Sequence, residues 1–322
     1  MTSLISKIRI TVLLIAILIV FIFTACVTPP PPTPTPRPKQ EPTATSTKEK
    51  LKVHFIDTGT HGDSVLIDLG KTEILIDGCL PNSGVAEYIK DYVDGSLDMM
   101  IATHPHSDHI GGLIEVLETF DVEEVWLNGD TVPRSHRRLF RLTQRFISLV
   151  NAEGAGSHEA KRGQTIDVEI LTFHVLHPDI LLPYNRSQRI PSILHTGNIN
   201  SMVLRLRYGN IVFLFAGDAQ EETENSILKA GLDVHADILK VGHHGSKNAS
   251  SRKFLRSVKP KVAVYMATGK TDASSGPGSP EKPHPWTLTA LKKAGAEVYG
   301  TNTHGTVIIT TDGETYTIDT EK

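Results

Sequence analysis

The pattern of hydrophobic and polar residues predicts alternating short strands and helices from residue 51 to the end of the chain. Short apolar or alternating runs bounded by Gly, Asn or Pro are typical of strands. In the first half, such runs lie at Lys52–Asp57, Ser64–Leu69, Lys71–Asp77, Leu97–Thr103 and Val122–Leu127. Apolar residues at helical spacing predict helices at Val85–Val93 and Ile110–Phe120.

The second half repeats this pattern. Thr165–Leu176 predicts either a hairpin of two strands or one long, bent strand, and residues 179–199 predict a polar loop. Further strands are predicted at Ser201–Arg207, Ile211–Ala216, Ala236–Val241, Val262–Ala267, Val298–Tyr299, Thr306–Thr311 and Thr315–Asp319, and helices at Glu221–Ala230, Ser251–Val258 and Trp286–Ala294. Two runs of strands with helices between them favour an α/β (α+β) fold. Two sheets would pack face to face with helices outside, as a four-layer αββα sandwich.

Residues 1–26 do not follow this pattern. They combine the basic residues Lys7 and Arg9, the apolar run Ile10–Ala25 and small residues before Cys26, which resembles a bacterial lipoprotein signal peptide. We expect cleavage before Cys26 and lipidation of that cysteine. The alternative is an uncleaved membrane anchor, although the apolar run is shorter than the roughly 20 residues that a membrane span needs.

Residues 27–50 predict a disordered Pro/Thr-rich linker, because they hold eight prolines and almost no apolar residues. Either interpretation of the N-terminus exports the domain formed by residues 51–322. We therefore expect this domain at the extracytoplasmic face of the bacterial cell membrane, tethered through the N-terminal lipid.

Composition limits the function classes. The 322 residues are 39% hydrophobic, which is enough for one sizeable core. With 33 basic and 36 acidic residues the net charge is −3, so the chain is not a polycation and local clusters must carry any anion binding. The two cysteines, Cys26 and Cys79, exclude a zinc–thiolate framework, and Cys79 is expected to be a buried thiol.

The strongest chemical signal lies in the loop that follows the strand Leu97–Thr103. His104 and His106 can present two imidazole nitrogens to one metal ion, and Asp108 and His109 can present an oxygen and a nitrogen to a second. Three histidines and an aspartate within six residues suit zinc, or manganese where carboxylates dominate. The alternative is a histidine-rich surface loop without a metal.

The order His-x-His-x-Asp-His resembles the signature of the metallo-β-lactamase fold superfamily. More narrowly, the chain is similar to the hydrolase domain at the C-terminus of the ComEC/Rec2 competence proteins. The segments that carry this resemblance are Val53–Asp57, Gly62–Ile67, Ile74–Gly78, the metal loop, Phe213–Asp218 and Leu239–Ser246. The resemblance covers nearly all of residues 51–322.

The resemblance implies two divalent metal ions, Zn or Mn, that share Asp218 as a bridging ligand and activate a bridging hydroxide. It also implies that His243 or His244 completes the second metal site. We prefer His243 as the ligand, with His244 facing the substrate as an acid or phosphate donor. Lys240 either pairs with a phosphate oxygen or is a strand lysine whose stem is buried and whose ammonium snorkels to solvent. Ser246 and Lys247, which follow directly, are candidate substrate contacts.

One position departs from the superfamily pattern. Most members have another histidine between the metal loop and the bridging aspartate, as a ligand of the first metal. Here that region contains Asn200 and Ser201, and either residue is a candidate for that place or for substrate contact. His195 is a further possible substitute.

Three residues in the N-terminal turns have open roles. His61 is expected at the rim of the site rather than as a ligand. Asp57 and Asp77 end strands near the metal loop, and either residue could cap its loop. Asp77 could also orient a ligand histidine.

Two basic clusters favour a phosphodiester polymer as substrate. Between Ile238 and Thr271 there are eight basic residues and no acidic one: Lys240, Lys247, Arg252, Lys253, Arg256, Lys259, Lys261 and Lys270. A predicted helix at Arg134–Arg145 carries five arginines, which either face solvent or contact phosphate. The competence-type relatives implied by the resemblance are thought to be nucleases.

We therefore predict a membrane-tethered, metal-dependent phosphodiesterase that acts on DNA as a monomer. The first alternative is a hydrolase of a small ester, a lactam or a cell-wall phosphodiester, similar to a phosphorylcholine esterase. The second is a non-catalytic surface module that binds polyanions, for which Asn200 and Ser201 are the main support.

Overall fold

The computed structural model describes residues 49–183, 193–268 and 282–322. The predicted signal peptide with Cys26, nearly all of the predicted linker, and Lys270 lie outside these ranges, so their assignments stay predictions. Across the described ranges, no helix is both long and apolar enough to cross a membrane.

Eight strands form the first sheet, in the spatial order β15-β14-β1-β2-β3-β4-β5-β6. These strands are β1 Leu51–Phe55, β2 Val65–Asp68, β3 Glu73–Ile76, β4 Leu97–Ala102, β5 Val122–Leu127, β6 Gly156–Glu159, β14 Val307–Thr311 and β15 Tyr316–Thr320. Strands β3 to β6 run parallel, whereas β1, β2, β14 and β15 pair antiparallel. The C-terminal hairpin thus returns to pair with the first strand of the domain.

Seven strands form the second sheet, in the order β13-β12-β11-β10-β9-β8-β7. They are β7 Thr165–Val168, β8 Leu171–His177, β9 Val203–Tyr208, β10 Ile211–Phe215, β11 Ile238–Lys240, β12 Val262–Tyr265 and β13 Glu297–Gly300. Strands β10 to β13 run parallel. Because the carboxyl ends of parallel strands meet at one edge of a sheet, the loops after β10 and β11 lie side by side.

Helices connect the strands and cover the outer faces. They are α1 Val85–Ile89, α2 Ser107–Ile110, α3 Leu113–Leu117, α4 Arg137–Glu153, α5 Ile193–Ile199, α6 Glu221–Lys229, α7 Arg252–Val258, α8 Pro285–Lys293 and α9 Thr301–His304. A short 3₁₀ turn spans Gly242–Gly245.

Three hydrophobic clusters show the layers of the fold. The central cluster joins the inner faces of both sheets and contains Phe55, Phe173 and Phe213, each without exposed surface. A second cluster packs helices α1, α3 and α4 on the first sheet, and a third packs α6, α7 and α8 on the second. Two sheets face to face with helices outside confirm the predicted αββα sandwich.

Local differences from the prediction have identifiable causes. The predicted helix Ile110–Phe120 is instead two short helices, α2 and α3, that meet at Gly111 and Gly112. A Cβ atom at Gly112 would collide with the carbonyl oxygen of Gly78, so the close approach of the two loops requires glycine there. Strand β6 was not predicted because its four residues are all exposed and lack an apolar pattern.

Two further segments resolve open points of the prediction. Residues Thr165–Leu176 form a hairpin, β7 and β8, rather than one bent strand. The predicted polar loop 179–199 ends in helix α5, and residues 184–192 of that loop lie outside the described ranges.

Candidate metal centre

The candidate metal ligands meet where the carboxyl ends of strands from both sheets face each other. His104 to His109 follow β4 in the first sheet. Asp218 follows β10, and the turn Gly242–Gly245 follows β11 in the second. The site is therefore built from both halves of the sandwich.

Asp218 lies between two groups of donor atoms. Its Oδ2 atom is 3.8 Å from Nε2 of His104. Its Oδ1 atom is 3.4 Å from Nε2 of His109 and 3.3 Å from Nε2 of His244. Each carboxylate oxygen thus faces a different set of imidazoles, which is the geometry that a shared ligand requires.

The side chains form three overlapping groups, and within each group the candidate ligand atoms lie within 4.8 Å of one another. These groups are His104, His106 and Asp218; Asp63, His109, Asp218 and His244; and His61, Asp108 and His244. The metal-loop residues His104, His106, Asp108 and His109 therefore converge with Asp218 as predicted, although their roles as ligands stay predictions.

The donor set fits divalent cations. Three buried atoms that face one another in the site have no hydrogen-bond partner in the structure: Nε2 of His109, Nε2 of His244 and Oδ1 of Asp218. Unpaired buried donors and acceptors are costly unless something binds them. Imidazole nitrogens mixed with carboxylate oxygens suit zinc or manganese.

The electrostatics of the site point the same way. Burial alone would raise the pKa of Asp218, but the neighbouring His244, His109 and His243 hold it well below its usual value. Burial would lower the pKa of His109, whereas Asp218 and Asp77 raise it well above the usual value. The Asp218 carboxylate thus stays ionised and attracts positive charge, whether from imidazolium or from a metal ion.

The distances reverse the sequence-based preference between the two adjacent histidines. His244 is fully buried, and its Nε2 atom lies 3.5 Å from Oδ2 of Asp108 as well as close to Asp218. His243 has 16% of its side chain exposed, and its Nε2 atom is 3.8 Å from Oδ2 of Asp218. His244 therefore fits the second donor group, and His243 lies on the side of the first.

The amide that lies beside the first group is Asn198, not Asn200. Nδ2 of Asn198 lies 3.1 Å from Nε2 of His243. Asn200 faces away, because its amide bonds Asp130 and the backbone of Leu182.

Ser201 and His195, the other candidates for the missing ligand of the first metal, also have contacts of their own. The hydroxyl of Ser201 accepts a hydrogen bond from the backbone N–H of Asp218, so Ser201 holds the backbone of that residue. Nε2 of His195 lies 3.4 Å from Glu222. Three polar residues of similar type stand within four positions on and after α5, and sequence alone does not show which one turns inward.

The two strand-ending aspartates have different roles. Asp77 accepts hydrogen bonds from Nδ1 of His109 at 2.7 Å and from the backbone and hydroxyl of Thr103. It therefore fixes the ring of His109 with Nε2 toward Asp218. Asp57 caps its own turn by accepting from the N–H of Gly59 and pairs with Lys322.

Asp63 is a site residue to which the sequence analysis gave no role. It is 2% exposed, its Oδ1 atom lies 3.1 Å from Nδ1 of His244, and its Oδ2 atom pairs with the ammonium of Lys240. Its position in the Gly62-Asp63-Ser64 turn, directly before the buried strand β2, was the available signal.

Lys240 does not have the predicted access to substrate. Its side chain is 3% exposed, and its ammonium is engaged by Asp63 and by the carbonyl oxygen of Gly217 at 3.0 Å. A buried ammonium with two partners inside the fold cannot reach a phosphate oxygen. The structure therefore makes Lys240 a partner of Asp63.

His61 lies deeper than the expected rim position. It is 6% exposed, and its ring centroid is 4.4 Å from that of His244. Its Nε2 atom is 3.6 Å from Oδ2 of Asp108 and 3.4 Å from Nζ of Lys282. Lys282 was not singled out by the sequence analysis, because it follows a long Gly/Ser/Pro-rich segment with no regular pattern.

The basic residues after the turn Gly242–Gly245 lie on the surface. Lys247, Arg252, Lys253 and Arg256 are exposed, and the guanidinium of Arg252 lies 5.8 Å from the ring centroid of Trp286. Lys261 instead pairs with Asp237. Ser246 is buried, and its carbonyl oxygen accepts a hydrogen bond from Thr287, which joins α8 to the site loop.

The arginine-rich segment forms the helix α4. Its buried side chains include Leu139, Phe146 and Val150, which face the first sheet. Arg145 pairs with Glu118 at 2.5 Å. Cys79 is a buried free thiol, as expected.

Comparison with known proteins identifies the family. Residues 57–270 match the profile of the metallo-beta-lactamase superfamily. The chain is 28% identical over 211 residues to ComE operon protein 3 of Bacillus subtilis (strain 168), covering 66% of this chain and 24% of that protein. It is 26% identical over 212 residues to Recombination protein 2 of Haemophilus influenzae, covering 66% and 22%. The chain thus spans about a quarter of the length of these relatives.

Solved structures agree on the fold. YhfI from Bacillus subtilis, a metallo-beta-lactamase fold protein, aligns with a TM-score of 0.52 at 15% identity, over 82% of this chain and 100% of that chain. A CmlA beta-hydroxylase variant aligns with a TM-score of 0.51 at 14% identity, over 80% and 53%. The profile match and the αββα sandwich show that the chain belongs to the metallo-beta-lactamase superfamily, with competence proteins of the ComEC/Rec2 type among its relatives.

Proposed function

We propose that the chain is a metal-dependent phosphodiesterase that cleaves DNA at the outer face of the bacterial membrane. The observation that carries this proposal is the position of Asp218, whose two oxygens face separate sets of imidazoles. Divalent cations, when bound, polarise a phosphate oxygen and activate water, and two of them stabilise both the attacking and the leaving oxygen.

The residues of the chain hold this centre in place. His104 and His106 would hold one cation, and Asp108, His109 and His244 the other, with Asp218 shared. Asp77 orients His109, and Asp63 lies against Nδ1 of His244. Because such supporting carboxylates fix ring orientation, His109 and His244 would each present Nε2 to the cation. His243 takes the substrate-facing place that the sequence analysis gave to His244.

The charge beside the centre favours a polyanionic substrate. Lys247, Arg252, Lys253 and Arg256, which we call the basic stripe, follow the candidate ligand His244 within twelve positions and are exposed. No carboxylate among the described residues forms an ion pair with any of the four. Cationic side chains of this kind bind the DNA backbone, and Trp286 beside Arg252 offers a surface on which a base can stack.

A lipid on Cys26 would hold the catalytic domain at the outer membrane surface. The apolar run before Cys26 and the proline-rich segment after it support this part of the proposal. Metabolic labelling with a palmitate analogue tests it: the wild-type chain is expected to carry the label, and Cys26→Ser to lose it. Equal labelling of both chains would contradict lipidation at Cys26.

The catalytic proposal is tested by turnover of the purified chain with added Mn²⁺ or Zn²⁺. We expect cleavage of bis-p-nitrophenyl phosphate and of single-stranded DNA, abolished in Asp108→Ala. A Lys71→Ala variant, which changes one exposed residue outside the centre, serves as the matched control. Turnover of the lactam nitrocefin without turnover of either phosphodiester would overturn the substrate assignment.

A further inference from the structure

Lys282 is a cation beside the candidate metal centre and has no role in the function described so far. Its Nζ atom lies 3.4 Å from Nε2 of His61, and its side chain is partly exposed. The backbone around it is tied to the site loop, because the N–H of His284 donates to the carbonyl oxygen of Gly245 at 2.9 Å. Pro283 packs directly against Gly245 as well.

The surroundings of Lys282 place its charge above the second donor group. The ring centroid of His61, its neighbour, lies 4.4 Å from that of His244 at a tilt of 56°, and Nε2 of His61 is 3.6 Å from Oδ2 of Asp108. The charge also reaches the other side of the centre: after burial, which is the largest cause, Lys282 further lowers the pKa of His106 and of His243. One ammonium therefore contacts His61 beside the second donor group and influences His106 in the first.

Lys282 differs from Lys240 in the partner of its ammonium group, which decides whether the charge is available to a ligand. The ammonium of Lys240 is buried and neutralised by Asp63. No carboxylate in the described part of the chain lies within ion-pair distance of the Lys282 ammonium, whose hydrogen-bond contact there is with an imidazole. An ammonium has three donors on a flexible stem, so Lys282 can turn from His61 to an incoming anion.

We propose that Lys282 binds a non-bridging oxygen of the phosphate at the metal centre and makes the site select anionic over neutral substrates. This proposal rests on the proposed phosphodiesterase function and adds a specificity residue to it. A hydrogen bond to a charged group is worth about 1.5–3 kcal/mol. Its loss corresponds to a fall of roughly 10- to 100-fold in kcat/KM for an anionic substrate.

The first experiment compares an anionic diester with a neutral triester on the full chain. Lys282→Met is expected to lower kcat/KM for bis-p-nitrophenyl phosphate by roughly 10- to 100-fold and to leave dimethyl p-nitrophenyl phosphate unchanged. Lys282→Arg keeps most of the diester activity, and Lys292→Met, an exposed lysine in the last turn of α8, changes neither. Equal losses on both esters would show that Lys282 does not recognise charge.

The second experiment separates this inference from the proposed function. Calorimetry with inorganic phosphate on the metal-loaded chain measures anion binding without turnover, and metal content is measured on the same samples. We expect Lys282→Met to weaken phosphate binding roughly tenfold or more at unchanged metal content. If phosphate binding depends on Lys282 but no phosphodiester is cleaved, the proposed function fails alone. If wild type and Lys282→Met bind phosphate equally, or neither binds it, the role of Lys282 is refuted.

Discussion

Nε2 of His244 lies 3.3 Å from Oδ1 of Asp218, although the two residues follow different strands and stand 26 positions apart. They meet because β10 and β11 are parallel neighbours, so the loops at their carboxyl ends share one edge of the sheet. The pairing register Phe215 to Lys240 sets this distance, and both residues approach the metal loop from the second sheet.

Replacing Asp218 tests its place between the two donor groups. Asp218→Asn keeps the size of the side chain but removes its charge, so we expect loss of at least one metal ion per chain and a fall in phosphodiester turnover of about 100-fold or more. Metal analysis of dialysed protein and steady-state kinetics measure the two effects. Full metal content in Asp218→Asn would contradict a shared ligand.

The Lys240–Asp63 pair is expected to matter far more for stability than an exposed pair does. Lys240→Met leaves Asp63 buried without its cation, which costs about 3–5 kcal/mol in the free energy of unfolding. Lys261→Met removes the ammonium that pairs with Asp237. Because the Lys261 side chain is 66% exposed, this loss should lower the free energy of unfolding by about 1 kcal/mol or less. Urea unfolding of both variants measures the difference, and equal costs would contradict the buried pair.

Asn198 and Asn200 are expected to act on different properties. Asn200→Ala removes a buried side chain and its part-buried hydrogen bonds to Asp130 and Leu182, and should lower the free energy of unfolding by about 2–3 kcal/mol. Asn198→Ala should change the free energy of unfolding less and weaken metal binding or turnover instead, because its amide lies beside His243. Urea unfolding and metal titration of each variant distinguish the two roles. The prediction fails if both variants change the same property equally.

His54 is expected to make the fold less stable in acid. Burial is the main cause that lowers its pKa from 6.5 to about 4, while Asp68 opposes the shift. Because the unfolded chain then binds more protons between pH 6.5 and pH 4, the free energy of unfolding falls as the pH drops through that range. This group accounts for about 3 kcal/mol between pH 7 and pH 4.

Urea unfolding of wild type and His54→Phe at pH 7 and pH 4 measures this contribution. The variant should lose about 3 kcal/mol less than wild type over the same range. The difference between the two chains removes the contribution of other titrating groups, such as the histidines of the metal centre. Parallel pH profiles for both chains would show that His54 titrates normally.

The basic stripe is expected to set the salt dependence of DNA binding. Replacing Lys247, Arg252 and Lys253 together by alanine should reduce the slope of log K against log salt by about 2 for single-stranded DNA. Triple alanine replacement of Lys71, Lys161 and Lys229, which are also exposed, gives a control with the same change in charge. Fluorescence titrations over a range of salt concentrations measure the slopes. If the two triple variants have the same slope, the stripe faces solvent only.

The sequence predicted the fold well because the apolar runs of a two-sheet sandwich are nearly continuous. Strands such as Val122–Leu127 were predicted with their observed bounds, and the metal-loop residues His104 to His109 with Asp218 were all brought together. Local patterns carry this information, since each of these residues directly follows a buried strand.

Other site residues could not be assigned because their placement depends on contacts across the fold. The choice between His243 and His244 depends on the backbone of the turn, where both residues have positive φ values of 46° and 53°. The placement of Asn198 depends on how α5 packs, and that of Lys282 on the tie between His284 and Gly245. None of these contacts leaves a periodic signal in the sequence.

The division of the centre between the two sheets has a consequence for how the protein unfolds. Each side brings only part of the donor set: His104, His106 and His109 come from one half, and Asp218 and His244 from the other. A cation bound there links the two halves of the sandwich. Because it binds only the folded form, it stabilises that form by mass action. Chelation should therefore first weaken the contact between the two halves. The melting temperature should fall as metal is removed, so that it reports metal occupancy directly.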